Sequence, residues 1–257
     1  RGAALGNGLS VVIGALLLIV FWRSNQLPVK YSSVLILDIP RVKEIFKVGL
    51  PAALEQVIFQ GGITAFLILV ALYGTEAYAA YGIGVQILSF SFVIGFGFSI
   101  AGATLVGQHL GAGNPEQARR AGWGAMRLSI VSMTFFGILI AVFAEPLARY
   151  MIDNDEVVRL SVVFIWLLGS MQPLMAIEFS LGGALRGAGD TKTPLVITLT
   201  CLLFIRVSLA LIFYMLDASI EIIFSTLVAD YVVKGFLYVA RFKSGKWMKV
   251  MKLKEDS

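Results

Sequence analysis

Long apolar stretches alternate with short polar and charged ones along the whole chain. Seven of these stretches reach about 20 residues, the length that an α-helix needs to cross the hydrocarbon core of a bilayer. A β-barrel would instead show strands of about 10 residues with alternating polarity, which these uniform blocks lack. The pattern predicts an all-α, polytopic integral membrane protein with about seven transmembrane helices, at residues 3–22, 47–72, 77–105, 124–144, 158–185, 194–216 and 221–240.

The composition narrows the class of protein further. Of the 257 residues, 58% are hydrophobic and 14% are charged, whereas soluble domains carry about 25% charged residues. These values exclude a soluble enzyme domain, a disordered chain and a nucleic-acid-binding protein. Cys201 and His109 are the single cysteine and histidine, so no intrachain disulfide can form and a histidine-based metal site has little to build on. The sequence shows no set of nucleophile, base and orienting group, and it predicts neither an enzyme nor a cofactor.

Basic residues are concentrated in every second connection between the predicted helices. These connections and the C-terminal tail hold 16 of the 21 Lys and Arg residues, and the intervening loops hold few. Because cytoplasmic loops carry an excess of basic residues, the alternation supports seven spans and places the basic set in the cytoplasm, as in a multi-pass protein of the plasma (inner) membrane. The set comprises Arg23, Lys30, Arg41, Lys43, Lys47, Arg119, Arg120, Arg127, Arg186, Lys192, Arg241, Lys243, Lys246, Lys249, Lys252 and Lys254.

Proline positions mark the starts of three helices. Pro115 and Pro194 each follow a capping residue and suit the first helical position, where the missing N–H has no intrahelical partner anyway. Pro40 predicts the start of a short amphipathic helix, because apolar residues such as Phe46 follow it among basic ones. Such a helix should lie at the membrane surface before the second span begins.

Four segments in the same order resemble the signatures of the multidrug and toxic compound extrusion (MATE) family of cation-coupled antiporters. Residues 102–120 read GATLVGQHLGAGNPEQARR, and residues 185–194 read LRGAGDTKTP. Residues 143–147 read FAEPL and lead to Asp155-Glu156-Val157, and residues 49–56 read GLPAALEQ at the start of the second span. The resemblance covers nearly the whole chain.

This resemblance implies an organisation in two six-helix lobes. Residues 47–240 are similar to the complete C-terminal lobe, and residues 1–22 to the last helix of the N-terminal lobe. Residues 23–46 would then be the cytoplasmic inter-lobe linker, and residues 241–257 a basic cytoplasmic tail. The expectation is therefore a fragment whose partner is the missing N-terminal lobe of the same chain; a natural half-transporter would instead require a dimer of halves.

Glycines recur at four-residue spacing in two of the segments. Gly107 and Gly111 form one pair, and Gly183 and Gly187 form another. Small residues at this spacing let two helices approach closely. We therefore predict a packing role for them rather than direct contact with a ligand.

The most informative residues are ionisable side chains inside predicted spans. A charge near the bilayer centre costs at least about 2.5–3.5 kcal/mol on insertion scales, so such a residue is expected to face a cavity or a partner. Arg206 lies too deep to reach the interface easily and must pair, either with a carboxylate on another helix or with backbone carbonyls. Glu55 and Glu178 are the candidate carboxylates. Asp230 and Lys234 are four residues apart on one helical face, which predicts mutual neutralisation, with the lysine extending toward the cytoplasmic interface.

Glu55 and Glu178 each follow a proline in their helix and make a plausible proton or cation site. Gln56 and Gln60 lie near Glu55 in the sequence and could add amide oxygens, which suit Na⁺ because hard cations prefer oxygen ligands. The family resemblance implies an acidic residue in each of these two helices, although the family's usual positions correspond here to Phe59 and Met175. The main ion site could also lie in the N-terminal lobe.

Taken with the resemblance, these residues predict a secondary active transporter. H⁺ or Na⁺ entering the cell would drive the export of organic cations or other amphiphiles through a cleft between two lobes, with membrane lipid and the transported molecule as the only other partners. One alternative is a lipid-linked oligosaccharide flippase of the same superfamily, which would carry several basic residues in its cleft. Another is a non-transporting scaffold or channel subunit, which would have no buried acids facing a cavity, so the positions of Glu55 and Glu178 distinguish it.

Overall fold

The computed structural model describes residues 2–24 and 38–248. These residues form helices joined by short turns, and no strand occurs among them. The helices are α1 (Gly2–Arg23), α2 (Ile39–Ala71), α3 (Thr75–Gly111), α4 (Pro115–Val142), α5 (Ala144–Met151), α6 (Asp155–Ser170), α7 (Gln172–Gly187), α8 (Lys192–Thr200), a π-helix (Cys201–Val207), α9 (Ser208–Met215), α10 (Ile220–Lys243) and a 3₁₀ turn (Lys246–Met248).

The described part of every predicted apolar block is helical apart from single turn residues, which confirms the all-α prediction. Five helical segments are long and apolar enough to cross a membrane, namely Val42–Ala71, Thr75–Gly111, Pro115–Val142, Lys192–Met215 and Ile220–Lys243. The bent pair of α6 and α7 meets the same length and composition criteria when the two helices are taken together as one broken span, which gives up to six spans. The apolar stretch of α1, Gly8–Phe21, is shorter than these segments.

The fifth predicted span is broken in its middle rather than continuous. Helices α6 and α7 meet at an angle of 54°, and Pro173 stands in the first turn of α7. A proline removes one helical hydrogen bond and its ring clashes with the preceding turn, so it accounts for the break. Pro51 has no comparable effect, because α2 runs through it as one helix.

Two predicted helix starts differ in detail from the structure. The segment at Pro40 is the first part of α2 rather than a separate surface helix. Helix α8 begins at Lys192 rather than at Pro194. The side chain of Asp190 accepts hydrogen bonds from the backbone N–H and the hydroxyl of Thr193, which fixes the turn before this helix.

Glycines bring the backbones of α3 and α7 into direct contact. A Cβ atom added at Gly183 would lie 2.1 Å from the carbonyl oxygen of Ser99, and one at Gly187 would lie 2.1 Å from that of Ala103. Gly107 faces the same seam, since its added Cβ would lie 3.1 Å from the Gly187 oxygen. The predicted packing role therefore holds for these three glycines, whereas Gly111 has no neighbour within 4 Å.

Aromatic residues hold the described end of the chain against α4. Trp247 stacks on Phe242 with ring centroids 4.6 Å apart, and its Nε1 donates to the Phe242 carbonyl oxygen. The Phe242 ring in turn occupies the space that a side chain at Gly122 would need. Both aromatic rings are fully buried. Their burial anchors the end of α10 and the following turn.

The chain divides into two compact units, Arg1–Glu44 and Ile45–Ser257. In the first unit, α1 exposes its apolar side chains, as expected for a helix in lipid or against another helix. Residues 25–37 of the predicted linker and residues 249–257 of the predicted tail lie outside the described residues. The prediction of lobe, linker and tail stays a prediction.

The charge pattern gives a test of orientation. Single cysteines at Ser244 and at Thr75, in a Cys201→Ser background, are expected to react with a membrane-impermeant maleimide from opposite sides of the membrane. Both positions are exposed, whereas Cys201 is buried. In intact cells the Thr75 cysteine should be labelled and the Ser244 cysteine should be labelled only after lysis. Labelling of both from outside would contradict the topology.

Candidate functional site

Four ionisable side chains from three helical segments form one buried charge cluster, consisting of Glu178, Arg206, Asp230 and Lys234. Glu178 lies in α7, Arg206 in the π-helix, and Asp230 and Lys234 near the middle of α10. Ion pairs connect all four residues. Because the cluster lies in the middle of spans, each charge is neutralised by protein groups rather than by water.

Lys234 joins the two acidic members of the cluster. Its Nζ lies 3.3 Å from Asp230 Oδ2 and 3.4 Å from Glu178 Oε1. The lysine side chain is 0% exposed, and that of Glu178 is 18% exposed. The predicted pairing of Lys234 with Asp230 occurs in the structure. The prediction that Lys234 extends to the membrane interface is wrong, because its side chain is buried. The ammonium stays inside because two carboxylates from different helices meet there.

Arg206 forms its ion pair with Asp230. Its Nη2 donates to Asp230 Oδ2, and both side chains are almost fully buried. The prediction that Arg206 pairs with Glu55 or Glu178 is therefore wrong in its partner, although a carboxylate on another helix does neutralise it. The π-helix carries Arg206, and such insertions change the rotation of a helix, so the side chain turns toward α10.

Aromatic rings enclose the two cations of the cluster. The Arg206 guanidinium carbon lies 5.3 Å from the centroid of the Tyr231 ring, and Lys234 Nζ lies 5.4 Å from it. Lys234 Nζ is also 5.9 Å from the Phe59 ring centroid. These distances are within cation–π range. The rings therefore add an electrostatic contact to both cations.

Glu55 belongs to a second polar site, whose hydrogen-bond partners are not members of the charge cluster. Its Oε1 accepts a hydrogen bond of 2.9 Å from Arg186 Nη1 and one of 3.4 Å from the Thr198 hydroxyl. Arg186 also donates to the hydroxyl of Ser99. The carboxylate thereby links α2 to α3, α7 and α8. Its second oxygen, Oε2, is buried without a hydrogen-bond partner among the described residues.

The structure does not bring the two predicted amides to the Glu55 carboxylate. Gln56 and Gln60 are both exposed. Instead of the two amides that the sequence predicted, the guanidinium of Arg186 and the hydroxyl of Thr198 contact the carboxylate. No group of three or more His, Cys, Asp or Glu side chains able to hold a metal ion occurs in the part of the chain that the structure describes.

Sequence reasoning missed two connections that involve basic residues of the cytoplasmic set. Arg186 was counted as a loop charge, yet it neutralises Glu55. Arg241 donates from Nε and Nη2 to Asp190 Oδ2, at 2.9 and 2.6 Å, and ties α10 to the turn before α8. Both arginines lie at the ends of predicted spans. The positive-inside rule uses only the number of basic residues there, and it does not predict their partners.

A surface cavity of about 370 Å³ lies away from both sites, at the start of α4. It is lined by Glu116, Arg119, Arg120, Trp123, Gly124 and Arg127. Arg119 and Arg120 form exposed ion pairs with Glu116 within the helix. The cavity contains no predicted site residue.

Comparison with known proteins identifies the family. A family model described as MatE matches residues 51–212. The chain is 34% identical to a probable multidrug resistance protein NorM of Thermotoga maritima, over 97% of this chain and 54% of the relative. It is 30% identical to a protein of the same description from Brucella suis, over 63% of this chain and 36% of that relative. The chain thus spans about half the length of the Thermotoga relative that it matches.

Solved structures share the fold. A eukaryotic MATE transporter, AtDTX14, superposes with a TM-score of 0.82 at 21% identity, covering 96% of this chain and 56% of that one. A MOP superfamily transporter from Pyrococcus furiosus gives a TM-score of 0.71 at 19% identity, covering 76% of this chain and 43% of that one.

The helices and the charges buried within them define a multi-pass membrane protein of the inner membrane. More specifically, the chain belongs to the MatE family, which confirms the resemblance seen in the four sequence segments.

Proposed function

We propose that this chain supplies the ion-responsive lobe of a secondary active antiporter, in which H⁺ or Na⁺ influx drives the export of organic cations or other amphiphiles. The observation that carries the proposal is the buried charge cluster at Glu178, Arg206, Asp230 and Lys234. Ionisable groups at this depth are costly and are therefore typical of ion and substrate pathways. The relatives' description as multidrug resistance proteins supports the class of substrate.

Coupling requires that ion and substrate shift the same conformational equilibrium in opposite directions. The Glu55 pair and the charge cluster could respond to such a shift, because each joins side chains of different helices. If two helices move apart, a buried carboxylate loses its partner and must take up a proton, a metal ion or a cationic substrate. This exchange would link helix movement to the bound ion.

The two alternatives have less support. A lipid-linked oligosaccharide flippase would need unpaired basic residues to hold a phosphate group, but Arg206 and Lys234 are both neutralised by carboxylates. A scaffold or channel subunit would have no buried acids facing a cavity. Here the acid that remains partly open is Glu178, whose side chain is 18% exposed, while Asp230 is fully buried.

The proposed activity is tested with the natural full-length protein in liposomes. A fluorescent organic cation should be transported against its gradient when an opposing H⁺ or Na⁺ gradient is imposed. Addition of an ionophore that collapses that gradient should stop the transport. Equal transport with and without the ion gradients would refute the proposal.

Glu55→Gln is expected to fold but to lose gradient-driven efflux by about 5-fold or more, the lower range of a typical coupling energy. Glutamine keeps the size of the side chain and can still accept a hydrogen bond from Arg186, but it cannot bind and release a proton. Efflux of a fluorescent cation from cells, normalised to protein in the membrane, measures the effect. Glu145→Gln on the short helix α5 is the control, because Glu145 is exposed.

Two results would contradict the role of Glu55. Wild-type efflux by Glu55→Gln would show that its charge is not needed. Alternatively, the single variant could be unstable while Glu55→Gln with Arg186→Gln regains both stability and transport. In that case Glu55 serves only as the structural partner of Arg186.

A further inference from the structure

The Lys234 ammonium lies between two acidic side chains within the charge cluster. It lies between carboxylate oxygens from α7 and α10, 3.4 Å from Glu178 Oε1 and 3.3 Å from Asp230 Oδ2. The ammonium thus bridges the two carboxylates. In a site removed from water, two carboxylates hold such an arrangement only if a positive charge stands between them.

We propose that Lys234 is a tethered cation that occupies the place of a monovalent metal ion between Glu178 and Asp230, and so keeps Na⁺ out of this lobe's charge cluster.

The formal charge of the cluster supports this assignment. Glu178 and Asp230 carry two negative charges, and Arg206 and Lys234 carry two positive ones, so the ionised cluster is neutral. A Na⁺ ion entering it would bring an uncompensated charge into the middle of the membrane, which is strongly unfavourable. Without the lysine charge, the same cluster would carry a net charge of −1 and would attract a cation.

Carboxylate oxygens of the kind that bind a metal ion already face this position, although Asp230 Oδ2 also accepts from Arg206. Asp230 Oδ1 is buried and has no hydrogen-bond partner among the described residues. Asp230 Oδ2 and Glu178 Oε1 both face the ammonium. Lys234 Nζ itself makes no well-aligned hydrogen bond. The lysine therefore holds its place through charge rather than through directed hydrogen bonds, which a metal ion surrounded by oxygen ligands could reproduce.

A purely structural lysine would give a different result on removal. If Lys234 only filled space and paired charges, its loss would destabilise the protein equally in any salt. If it stands in for a metal ion, its loss should create a site that Na⁺ fills. The inference rests on the proposed transport function only in its choice of Na⁺ as the ion. Its test is an equilibrium binding measurement, which does not depend on transport activity.

The test measures Na⁺ binding to the purified natural full-length protein. Lys234→Ala removes the ammonium and leaves room for an ion, so the variant should bind about one more ²²Na⁺ than the wild type, held by carboxylate oxygens. Its melting temperature should rise in NaCl relative to choline chloride of equal ionic strength by more than that of the wild type. Lys243→Ala is the matched control, since this lysine is on the same helix but exposed.

Three further variants make the result decisive. Lys234→Arg keeps a tethered cation and should bind no additional Na⁺. Glu178→Gln combined with Lys234→Ala should lose the additional Na⁺, because the cluster is again neutral. Glu178→Gln alone should leave the Na⁺ binding of the wild type unchanged, a result that does not require the alanine variant to fold.

The proposal is overturned if folded Lys234→Ala binds no additional Na⁺. It is also overturned if the additional Na⁺ remains after Glu178→Gln, or if Glu178→Gln alone lowers Na⁺ binding in the presence of Lys234. If efflux fails while the Na⁺ results agree with expectation, only the proposed transport function is refuted.

Discussion

Gly183→Ala combined with Gly187→Ala is expected to destabilise the protein by about 3 kcal/mol or more, because overpacking that meets backbone leaves no side chain that can move aside. Each added Cβ would lie 2.1 Å from a carbonyl oxygen of α3, so α3 and α7 would have to separate. Such a separation would also displace Glu178 on α7 and weaken the charge cluster. The midpoint of thermal unfolding in detergent, measured from the fraction of monodisperse protein after heating, reports the effect.

The control uses a glycine of α3 that faces open space. A Cβ at Gly97 meets no atom within 4 Å, so Gly97→Ala should keep or slightly raise the midpoint, as expected when alanine replaces glycine inside a helix. An unchanged midpoint in the double glycine variant would mean that the two helices do not pack as closely as described.

The glycine seam shows what the sequence could predict and where it stops. The four-residue spacing of Gly183 and Gly187 is visible in the sequence and correctly indicates a close helix contact. The sequence does not identify the partner helix, because any neighbouring helix with small residues could pack against these glycines. The same spacing at Gly107 and Gly111 yields one packed glycine and one without neighbours, since a regular pattern does not specify how far a helix contact extends.

The partners of the buried charges were the least predictable part of the site. Apolar residues surround most of a transmembrane helix, so the hydrophobic pattern does not fix which side faces the protein interior. The depth of Arg206 correctly implied a carboxylate partner on another helix. Its choice of Asp230 depends on the π-helix, whose extra residue per turn changes the direction of the side chain, and no proline or glycine in residues 201–207 indicates that change.

The partner of Glu55 was equally hard to predict, because it lies at the end of another helix. The depth of Glu55 in the second span pointed to a partner or a cavity, and the structure provides Arg186. The arginine lies in the last turn of α7, where the sequence analysis counted it only as a topology signal. A residue can therefore satisfy the positive-inside rule and also neutralise a buried acid, because the long arginine side chain can reach inward from the end of a span.

The second large effect is expected when one member of the Arg206–Asp230 pair is removed. Arg206→Met leaves the cluster with a net charge of −1 inside the spans, and Asp230→Asn leaves it with +1. Breaking a buried ion pair in this way costs about 3–5 kcal/mol, because the remaining charge has lost its partner. The unfolding midpoint of each single variant should therefore fall well below that of the wild type.

The double variant Arg206→Met with Asp230→Asn should recover most of the lost stability. It removes both charges and leaves Lys234 paired with Glu178, which lies 3.4 Å away, so the cluster is neutral again. Arg149→Gln is the control, because the ion pairs of Arg149 with Glu145 and Asp155 are exposed and exposed pairs contribute little. If the two single changes simply add in the double variant, the residues do not act as a pair, and the neutrality of the cluster cannot be what stabilises α10 against the π-helix.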